Sequence, residues 1–330
     1  MGERGILTRS EDAGATWTVL PQLTIYDMEG LHFIDSLNGW ACGNINNAGI
    51  IVKTTDGGFN WQVVEENGST GISSTASIHF VNDTLGFCGS FNRMLRSIDG
   101  GETWTSTTLG NNYTIRGIDF INDSTGVAVA GPRIYRTNNR GNSWTQVLFD
   151  TNVLFDDVQM INDTLGFAVT TSSTTRMYKT INGGLTWTAH PVVVSWVIDA
   201  FYMRPDGVGF IAAGTNATYY RSTDFGTTWT AVQTPNYGSD TNVITANEDG
   251  DVVCLGDNGT VWQSTANGDP NTFVDRQQEE QYAFRTMDFT DINTGHLFGR
   301  DFIVKTTDGG QTFISTPITT ARTPNCVHFP

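Results

Sequence analysis

Short apolar runs alternate with turn-forming residues along the whole chain. The recurring unit is a short strand, an Asn/Asp-rich turn that closes on Gly, and a second, nearly continuous apolar strand. It reads HFIDSLNGWACG from His32, HFVNDTLGFCGS from His79 and QMINDTLGFAVT from Gln159. Runs of this length bounded by Gly and Asn predict β-strands joined by tight turns.

An eight-residue pattern, here called the turn motif, follows these hairpins: Ser/Thr, any residue, Asp/Asn, any residue, Gly, any residue, Thr/Ser/Asn, Trp/Phe. TTDGGFNW from Thr54 is one copy. The third side chain can accept hydrogen bonds from backbone N–H groups, the Gly permits positive φ, and the aromatic residue anchors the next strand. We predict structural roles for the third residues, which are Asp12, Asp56, Asp99, Asn139, Asn182, Asp224 and Asp308.

A basic residue stands three positions before the third residue of each intact motif. We predict that it pairs across strands, as part of the fold. These residues are Arg9, Lys53, Arg96, Arg136, Lys179, Arg221 and Lys305.

The motifs recur every 40 to 44 residues, counting a damaged copy with Ala266 at the third position. This spacing fits four antiparallel strands, A to D, with the motif at the C–D turn. The pattern predicts an all-β fold, a single β-propeller domain over residues 1–330. Seven units are complete. Residues 1–22 and 323–330 together favour a split eighth blade that closes the ring, and seven blades is the alternative.

The charge of −16 and a pI near 4.5 argue against nucleic-acid or anionic-membrane partners, which require a basic face. No apolar run is long enough to span a membrane, and the N-terminus lacks the apolar core of a signal peptide. Four cysteines are too sparse for a disulfide framework and lack the C-x-x-C spacing of a metal site, and the first three, in predicted strands, are expected to be buried free thiols. We expect no cofactor.

The turn motif resembles bacterial neuraminidase repeats. With the preceding hairpin pattern it is similar to the photosystem II stability/assembly factor-like proteins. That resemblance implies a propeller and an extracytoplasmic location, which is extracellular, at the cell surface or periplasmic. The start, MGERGILTRS, resembles the middle of a blade. We therefore expect a monomeric domain cut from a longer secreted protein.

Functional residues are sought where equivalent positions of the repeats differ. The C–D turns keep one pattern, whereas the starts of the A strands vary between aromatic, acidic and basic residues. Such mixtures are typical of recognition surfaces, and a solvated channel mouth is the alternative interpretation. The candidate binding residues are Tyr26, Glu29, Tyr113, Arg116, Asp156, Trp196, Asp199, Tyr282 and Arg285.

Three histidines occupy equivalent positions in predicted A strands: His32, His79 and His328. Imidazoles that converge on a channel could bind a transition metal. A polar channel lining is the preferred interpretation, because other repeats carry Asp119 or Gln159 there. We predict no metal site.

Two functions compete. A non-catalytic propeller would bind a protein or carbohydrate partner at the mouth formed by the D–A loops. A glycoside hydrolase, sialidase-like or xyloglucanase-like, would need carboxylates at that mouth, for which Asp156 and Asp199 on successive blades are the candidates. Short D–A connections and the absence of other catalytic motifs favour the binding protein.

Overall fold

The computed structural model of the chain is built from β-strands, with one 3-10 turn at Glu3–Gly5. It describes residues 1–12, 16–66, 71–110, 112–171, 177–190, 198–213, 218–233, 241–246, 250–256, 260–276, 284–289, 293–299 and 302–317. No described helix is long and apolar enough to cross a membrane.

The described strands form one two-stranded hairpin and seven four-stranded antiparallel sheets, each with its strands in chain order. The hairpin pairs β1 (Thr8–Arg9) with β2 (Thr18–Val19). Sheet 1 contains β3 (Asp27–Phe33), β4 (Gly39–Ile45), β5 (Ala48–Thr54) and β6 (Gln62–Glu66). Sheet 2 contains β7 (Ser77–Phe80), β8 (Gly86–Ser90), β9 (Arg93–Ser97) and β10 (Thr105–Thr108).

The next two sheets repeat this plan. Sheet 3 contains β11 (Ile115–Phe120), β12 (Gly126–Ala130), β13 (Arg133–Thr137) and β14 (Thr145–Phe149). Sheet 4 contains β15 (Phe155–Met160), β16 (Gly166–Thr170), β17 (Met177–Thr180) and β18 (Thr188–His190).

The last three sheets follow the same order. Sheet 5 contains β19 (Ile198–Met203), β20 (Gly209–Ala213), β21 (Thr218–Ser222) and β22 (Thr230–Gln233). Sheet 6 contains β23 (Thr241–Ala246), β24 (Val252–Gly256), β25 (Val261–Ser264) and β26 (Val274–Asp275). Sheet 7 contains β27 (Phe284–Phe289), β28 (Gly295–Gly299), β29 (Phe302–Thr306) and β30 (Ile314–Pro317).

Repeated four-stranded antiparallel sheets of this kind make the chain a multi-blade β-propeller, which confirms the predicted fold class. The chain divides into two compact units. The first contains sheets 1 to 4 and residues 1–7, and the second contains sheets 5 to 7 and the β1–β2 hairpin. The predicted contribution of residues 323–330 to a closing blade lies outside the described residues.

The core lies between successive sheets. The second strands of sheets 2 to 6 are buried at every residue, which explains their continuous apolar sequences. Successive side chains of such a strand point to opposite faces of its sheet. From sheet 1, Trp40 points toward sheet 2 and stacks on Phe80 with ring centroids 3.5 Å apart.

The turn motif is held by two sets of hydrogen bonds, one to the hydroxyl of its first residue and one to the side chain of its third, as sheet 2 shows. The buried Ser97 hydroxyl donates to Asp99 Oδ1 at 2.8 Å and accepts from the Gly101 N–H at 2.8 Å. The Asp99 carboxylate also accepts from the Thr103 N–H at 3.0 Å and the Thr103 hydroxyl at 2.6 Å. Gly101 has a φ of +80°, and a Cβ there would lie 2.3 Å from Trp40 Nε1.

In five of the sheets, the residue just before the motif links its sheet to the next one. The Lys53 ammonium of sheet 1 contacts the Glu102 carboxylate of sheet 2 at 2.5 Å. In sheets 2, 3, 5 and 6 the acceptor is a backbone carbonyl oxygen in the next motif. The expectation of a partner across strands is therefore wrong for Lys53, Arg96, Arg136 and Arg221, whose partners lie in the next sheet. The pairs are Arg96–Arg140, Arg136–Gly183, Arg221–Asn267 and, with an amide donor, Gln263–Gly309.

Candidate functional site

The candidate residues follow the D–A connections, at one end of the sheets. In an antiparallel A-to-D sheet the B–C turn lies at this same end, and the A–B and C–D turns lie at the other. We call the two ends the D–A end and the C–D end. In the first unit the described residues of the D–A end are 45–48, 71–76, 90–93, 109–110, 112–115, 130–133 and 150–155.

At the D–A end, the B–C turns of sheets 2 and 3 are joined to the D–A connections that follow them. The Asn92 N–H donates to the Tyr113 carbonyl oxygen at 2.8 Å, and Phe91 forms an antiparallel bridge with Thr114. One sheet further on, the Phe155 N–H donates to the Gly131 carbonyl oxygen at 2.8 Å. These contacts make a continuous, hydrogen-bonded rim across sheets 2 to 4.

A β-bulge lies at the start of nearly every A strand. The pairing with the B strand skips one residue in sheets 1, 3, 4, 5, 6 and 7. A bulged residue has no pairing partner, and its side chain is re-aimed away from the regular alternation. The skipped residues are Glu29, Arg116, Asp156, Asp199, Asn242 and Arg285.

The charged candidates selected from the sequence at the starts of the A strands are thus the bulge residues. Asn242, the bulge residue of sheet 6, was missed by sequence reasoning. It could have been found from its position, because it stands immediately before the apolar run of that A strand. A bulge residue is free of the packing that holds the rest of the strand apolar, so its identity can vary from sheet to sheet.

Two neighbouring bulge residues form an ion pair. Arg116 Nη1 of β11 lies 3.1 Å from Asp156 Oδ1 of β15, with side chains 60% and 44% exposed. An ion pair this exposed contributes little to stability, typically under about 1 kcal/mol. Its groups can therefore exchange partners with an incoming molecule at small cost.

Glu29 of sheet 1 interacts with the same arginine. The pKa of Glu29 is raised by partial burial and by the nearby Asp27 carboxylate, and Arg116 opposes both effects. In sheet 2, which lies between them in chain order, the corresponding residue is Ala76. The bulge residues of sheets 1, 3 and 4 therefore carry alternating charge: acidic, basic and acidic.

Tyr113 presents an aromatic surface next to these charges. Its side chain is 39% exposed, and its ring lies over Gly131 in the B–C turn of sheet 3. A Cβ at Gly131 would come within 2.3 Å of the ring. Because this glycine has no side chain, the tyrosine ring can lie flat on the rim.

Tyr26 does not belong to this surface, and its predicted exposure is wrong. It is buried in a cluster with Met28, Ala41 and Ile50, against which Met1 also packs. The N-terminal residues cover this part of sheet 1, as the hydrogen bond from the Met28 N–H to the Gly2 carbonyl oxygen shows.

The remaining candidates belong to the second unit. Trp196 and Tyr282 lie outside the described residues. Asp199 and Arg285 are described at the backbone, as bulge residues of β19 and β27.

Two further carboxyls, Asp119 of sheet 3 and Asp157 of sheet 4, lie close enough to interact. Asp119 accepts hydrogen bonds from the N–H groups of Phe120 at 2.8 Å and Met160 at 2.6 Å. Asp157 accepts one from Val158 at 2.8 Å. Asp157 is partly accessible to solvent, but many protein atoms lie close to its carboxyl group. This partial desolvation raises the pKa of Asp157 to about 6, and the nearby Asp156 and Asp119 carboxylates raise it further.

The histidine candidates are partly brought together. The rings of His32 and His79 lie 5.2 Å apart, and His79 stacks on Phe120 at 5.8 Å. Burial lowers the pKa of His79 to about 4, so this ring is neutral at physiological pH. His328 lies outside the described residues. Among those described, no group of three or more His, Cys, Asp or Glu side chains could hold a metal ion.

Large apolar side chains are exposed at the C–D end as well. They occupy the variable positions of the turn motifs, so the motif does not restrict that end as fully as its fixed residues suggest. The exposed side chains include Phe59, Ile98, Ile181 and Leu185, with Ile98 62% and Ile181 73% exposed. Exposure alone therefore does not identify the binding end. The rim and the bulge charges distinguish the D–A end.

The chain is similar to known families in sequence and in fold. A family model described as the photosynthesis system II assembly factor YCF48 matches residues 70–280. No curated protein matches the chain.

Among solved structures, one of YCF48 bound to D1 peptide has a TM-score of 0.60 at 17% identity, covering 88% of each chain. YCF48 from Cyanidioschyzon merolae has a TM-score of 0.66 at 16% identity, covering 90% of this chain and 100% of that one. The GH74 xyloglucanase from Xanthomonas campestris has a TM-score of 0.65 at 10% identity, covering 86% of this chain and 52% of that one. At these identities the likeness shows the fold alone.

Proposed function

Because the chain belongs to the photosynthesis system II assembly factor YCF48 family, we propose that it is a non-catalytic propeller that binds a protein partner at its D–A end. A relative in that family has been solved with a D1 peptide bound. Binding of a polypeptide segment is therefore the activity that family membership favours.

The observation that carries the proposal is the exposed Arg116–Asp156 pair beside Tyr113. A guanidinium and a carboxylate at bulge positions can bind the carboxylates and amide groups of a partner chain. The tyrosine ring adds a rigid apolar contact, and tyrosine and arginine are the residue types that dominate binding energy at interfaces. The rim of backbone hydrogen bonds holds these groups in place.

The binding test uses the D1 peptide together with peptides selected from a random library on the wild-type protein. Replacing both Tyr113 and Arg116 by Ala should weaken the binding of selected peptides by about 2 kcal/mol, or roughly 30-fold in Kd, measured by isothermal titration calorimetry. The matched control replaces Ile98 and Arg140 by Ala, an apolar and a basic residue at the C–D end. That control should bind like wild type.

Equal loss in the two double variants, with both still folded, would remove the D–A end as the binding surface. A failure of the D1 peptide alone, with selected peptides still bound at the D–A end, would restrict the partner rather than reject the proposal.

A glycoside hydrolase is the second candidate, because one observation favours it. Asp157 has a pKa of about 6 and interacts with Asp119, and a carboxyl whose pKa is raised toward neutrality is the kind of group a glycosidase uses as general acid. The test is release of reducing sugar from xyloglucan and from a sialoside. Hydrolysis that Asp157→Asn abolishes would establish an enzyme, whereas we expect none.

A carbohydrate ligand, a monomeric state within a longer protein and an extracytoplasmic location remain predictions of the sequence. Glycan-array binding, sedimentation of the purified chain and fractionation of the source cells test them in turn.

A further inference from the structure

Two cysteines meet at the interface between sheets 1 and 2. Cys42 of β4 and Cys88 of β8 are both fully buried and belong to one apolar cluster with Trp40 and Trp104. Both occupy the second strands of their sheets, within runs of buried residues.

The pleat explains why the two thiols face each other. Gly39 and Gly86 occupy the same register, because each pairs with the first residue of its own turn motif. Cys42 is the third residue after Gly39, whereas Cys88 is the second residue after Gly86. Side chains at odd and even positions point to opposite faces of a sheet. Cys42 therefore points forward to sheet 2, and Cys88 points back to sheet 1.

The local packing leaves room for both sulfur atoms. Gly30 of β3 provides this space, since a Cβ there would lie 3.0 Å from Cys42 Sγ. The thiols also interact directly. Burial raises the pKa of the Cys88 thiol well above its ordinary value, and a hydrogen bond with the Cys42 thiol raises it further.

The same facing positions recur at other interfaces, with different residues. They are Val129 and Ala168 between sheets 3 and 4, Ala212 and Cys254 between sheets 5 and 6, and Leu255 and Leu297 between sheets 6 and 7. Cys254 thus has an alanine where Cys88 has a cysteine. Among the described cysteines, the sheet 1–2 interface is the one place where two of them face each other.

We propose that Cys42 and Cys88 form a disulfide that joins sheet 1 to sheet 2 when the chain folds in an oxidising environment. The oxidant is a small disulfide such as oxidised glutathione. One cysteine thiolate attacks it and releases one glutathione thiol. The second cysteine thiolate then attacks the mixed disulfide and releases the other. Two protein thiols lose two electrons and two protons, and one glutathione disulfide becomes two thiols.

The reaction belongs to folding rather than to the finished protein. Both thiols are inaccessible to solvent once sheets 1 and 2 have packed together, and a buried thiol of raised pKa reacts slowly. For the same reason a disulfide formed during folding would then be shielded from reductants. This inference does not depend on the proposed binding function.

The test uses the full chain in a Cys326→Ser background. It is refolded in a series of glutathione buffers whose reduction potentials bracket about −190 mV, the value of secretory compartments. Free thiols are then alkylated under denaturing conditions, and peptides are mapped by mass spectrometry. We expect most molecules to contain a Cys42–Cys88 linked peptide, with Cys254 alkylated. The oxidised form should melt about 5 °C above the reduced one, because the crosslink closes a long loop.

Two variants serve as controls. Ala212→Cys places a cysteine opposite Cys254 and should yield a second linked peptide at the equivalent position. In a Cys42→Ala, Cys88→Ala variant the melting temperature should no longer depend on the redox buffer. Full alkylation of Cys42 and Cys88 at every poise would overturn the proposal, as would linkage of either one to Cys254. Mapping of the wild-type cysteines decides the question even if a variant fails to fold.

Discussion

In the sequence, the Asp at the third position is the most recognisable residue of the turn motif. The burial of the Ser or Thr two residues earlier indicates that this residue stabilises the fold more. We predict that Ser97→Ala lowers the free energy of unfolding by more than Asp99→Ala does. The difference arises from burial, because the Ser97 hydroxyl is buried and the Asp99 carboxylate is exposed.

The magnitudes follow from the partners that each change leaves behind. Asp99→Ala frees the N–H and hydroxyl of Thr103, which are exposed and can bond to water instead, so the loss should be about 1 kcal/mol. Ser97→Ala leaves the buried Gly101 N–H without an acceptor. An unsatisfied buried donor costs roughly 1–3 kcal/mol, and the loss of the bond to Asp99 brings the total to about 2–3 kcal/mol.

Asp99→Asn is the matched control for the charge of the motif. Two native motifs already carry Asn, and there the amide donates to the hydroxyl that otherwise donates to the carboxylate. Asn182 Nδ2, for example, lies 2.8 Å from Thr186 Oγ1. Because the hydroxyl can act in either direction, Asp99→Asn should change stability by under about 0.5 kcal/mol.

The assay is urea unfolding at pH 7, followed by intrinsic tryptophan fluorescence and by far-UV circular dichroism. A loss for Ser97→Ala no larger than for Asp99→Ala would refute the argument from burial. A loss for Asp99→Asn equal to that for Asp99→Ala would refute the assigned hydrogen-bond geometry.

Three further predictions concern charge and metal. Hydrogen bonds from Thr228 outweigh burial and lower the pKa of Asp224 to about 2, so the stability that its ionised form contributes is complete above about pH 4 and is lost as the pH falls toward 2. In Asp224→Asn the urea midpoint should therefore depend less on pH over that window than in the wild type. An unchanged pH dependence of the midpoint would contradict this. Burial raises the pKa of Asp157 to about 6, so its ionisation destabilises the fold fully above about pH 6 and not below about pH 4. Asp157→Asn should therefore raise the free energy of unfolding by on the order of 1 kcal/mol at pH 7.5, after allowance for solvent screening. A lower free energy of unfolding in the variant at that pH would contradict this. Chelation should leave the melting temperature unchanged; one equivalent of zinc or copper in the purified protein, lost in His79→Ala, would show that the histidines bind metal.

Much of the fold could be predicted because its signals are local. The turn motif closes over eight consecutive residues, and its hydrogen bonds run between residues two to four positions apart. The apolar second strands lie between two sheets, so their sequences need no long-range information to be recognised. Both features repeat, which fixed the sheet plan and the order of strands.

Contacts between repeats could not be predicted in the same way. Arg96 and Arg136 donate to carbonyl oxygens in the next sheet, and any residue type can supply that acceptor. The sequence at the acceptor position therefore carries no signal of the pair.

The candidate site was predicted in part for the same reason. The bulge places Glu29, Arg116 and Asp156 alike, and their variation was visible in the aligned repeats. Tyr26 and Tyr113 occupy equivalent positions in sequence, yet one is buried and the other exposed. N-terminal residues that precede the first repeat pattern cover the first, and a glycine in the B–C turn allows the second to lie on the rim.

The central claim is that a polypeptide partner binds at the D–A end, and hydrogen–deuterium exchange with and without a selected peptide tests it most directly. Saturating peptide should slow exchange in the connections at residues 109–115 and 150–155 and leave the turn motifs at residues 97–104 and 137–144 unchanged. Protection of the turn motifs, with the connections unaffected, would place the binding surface at the C–D end and contradict the account.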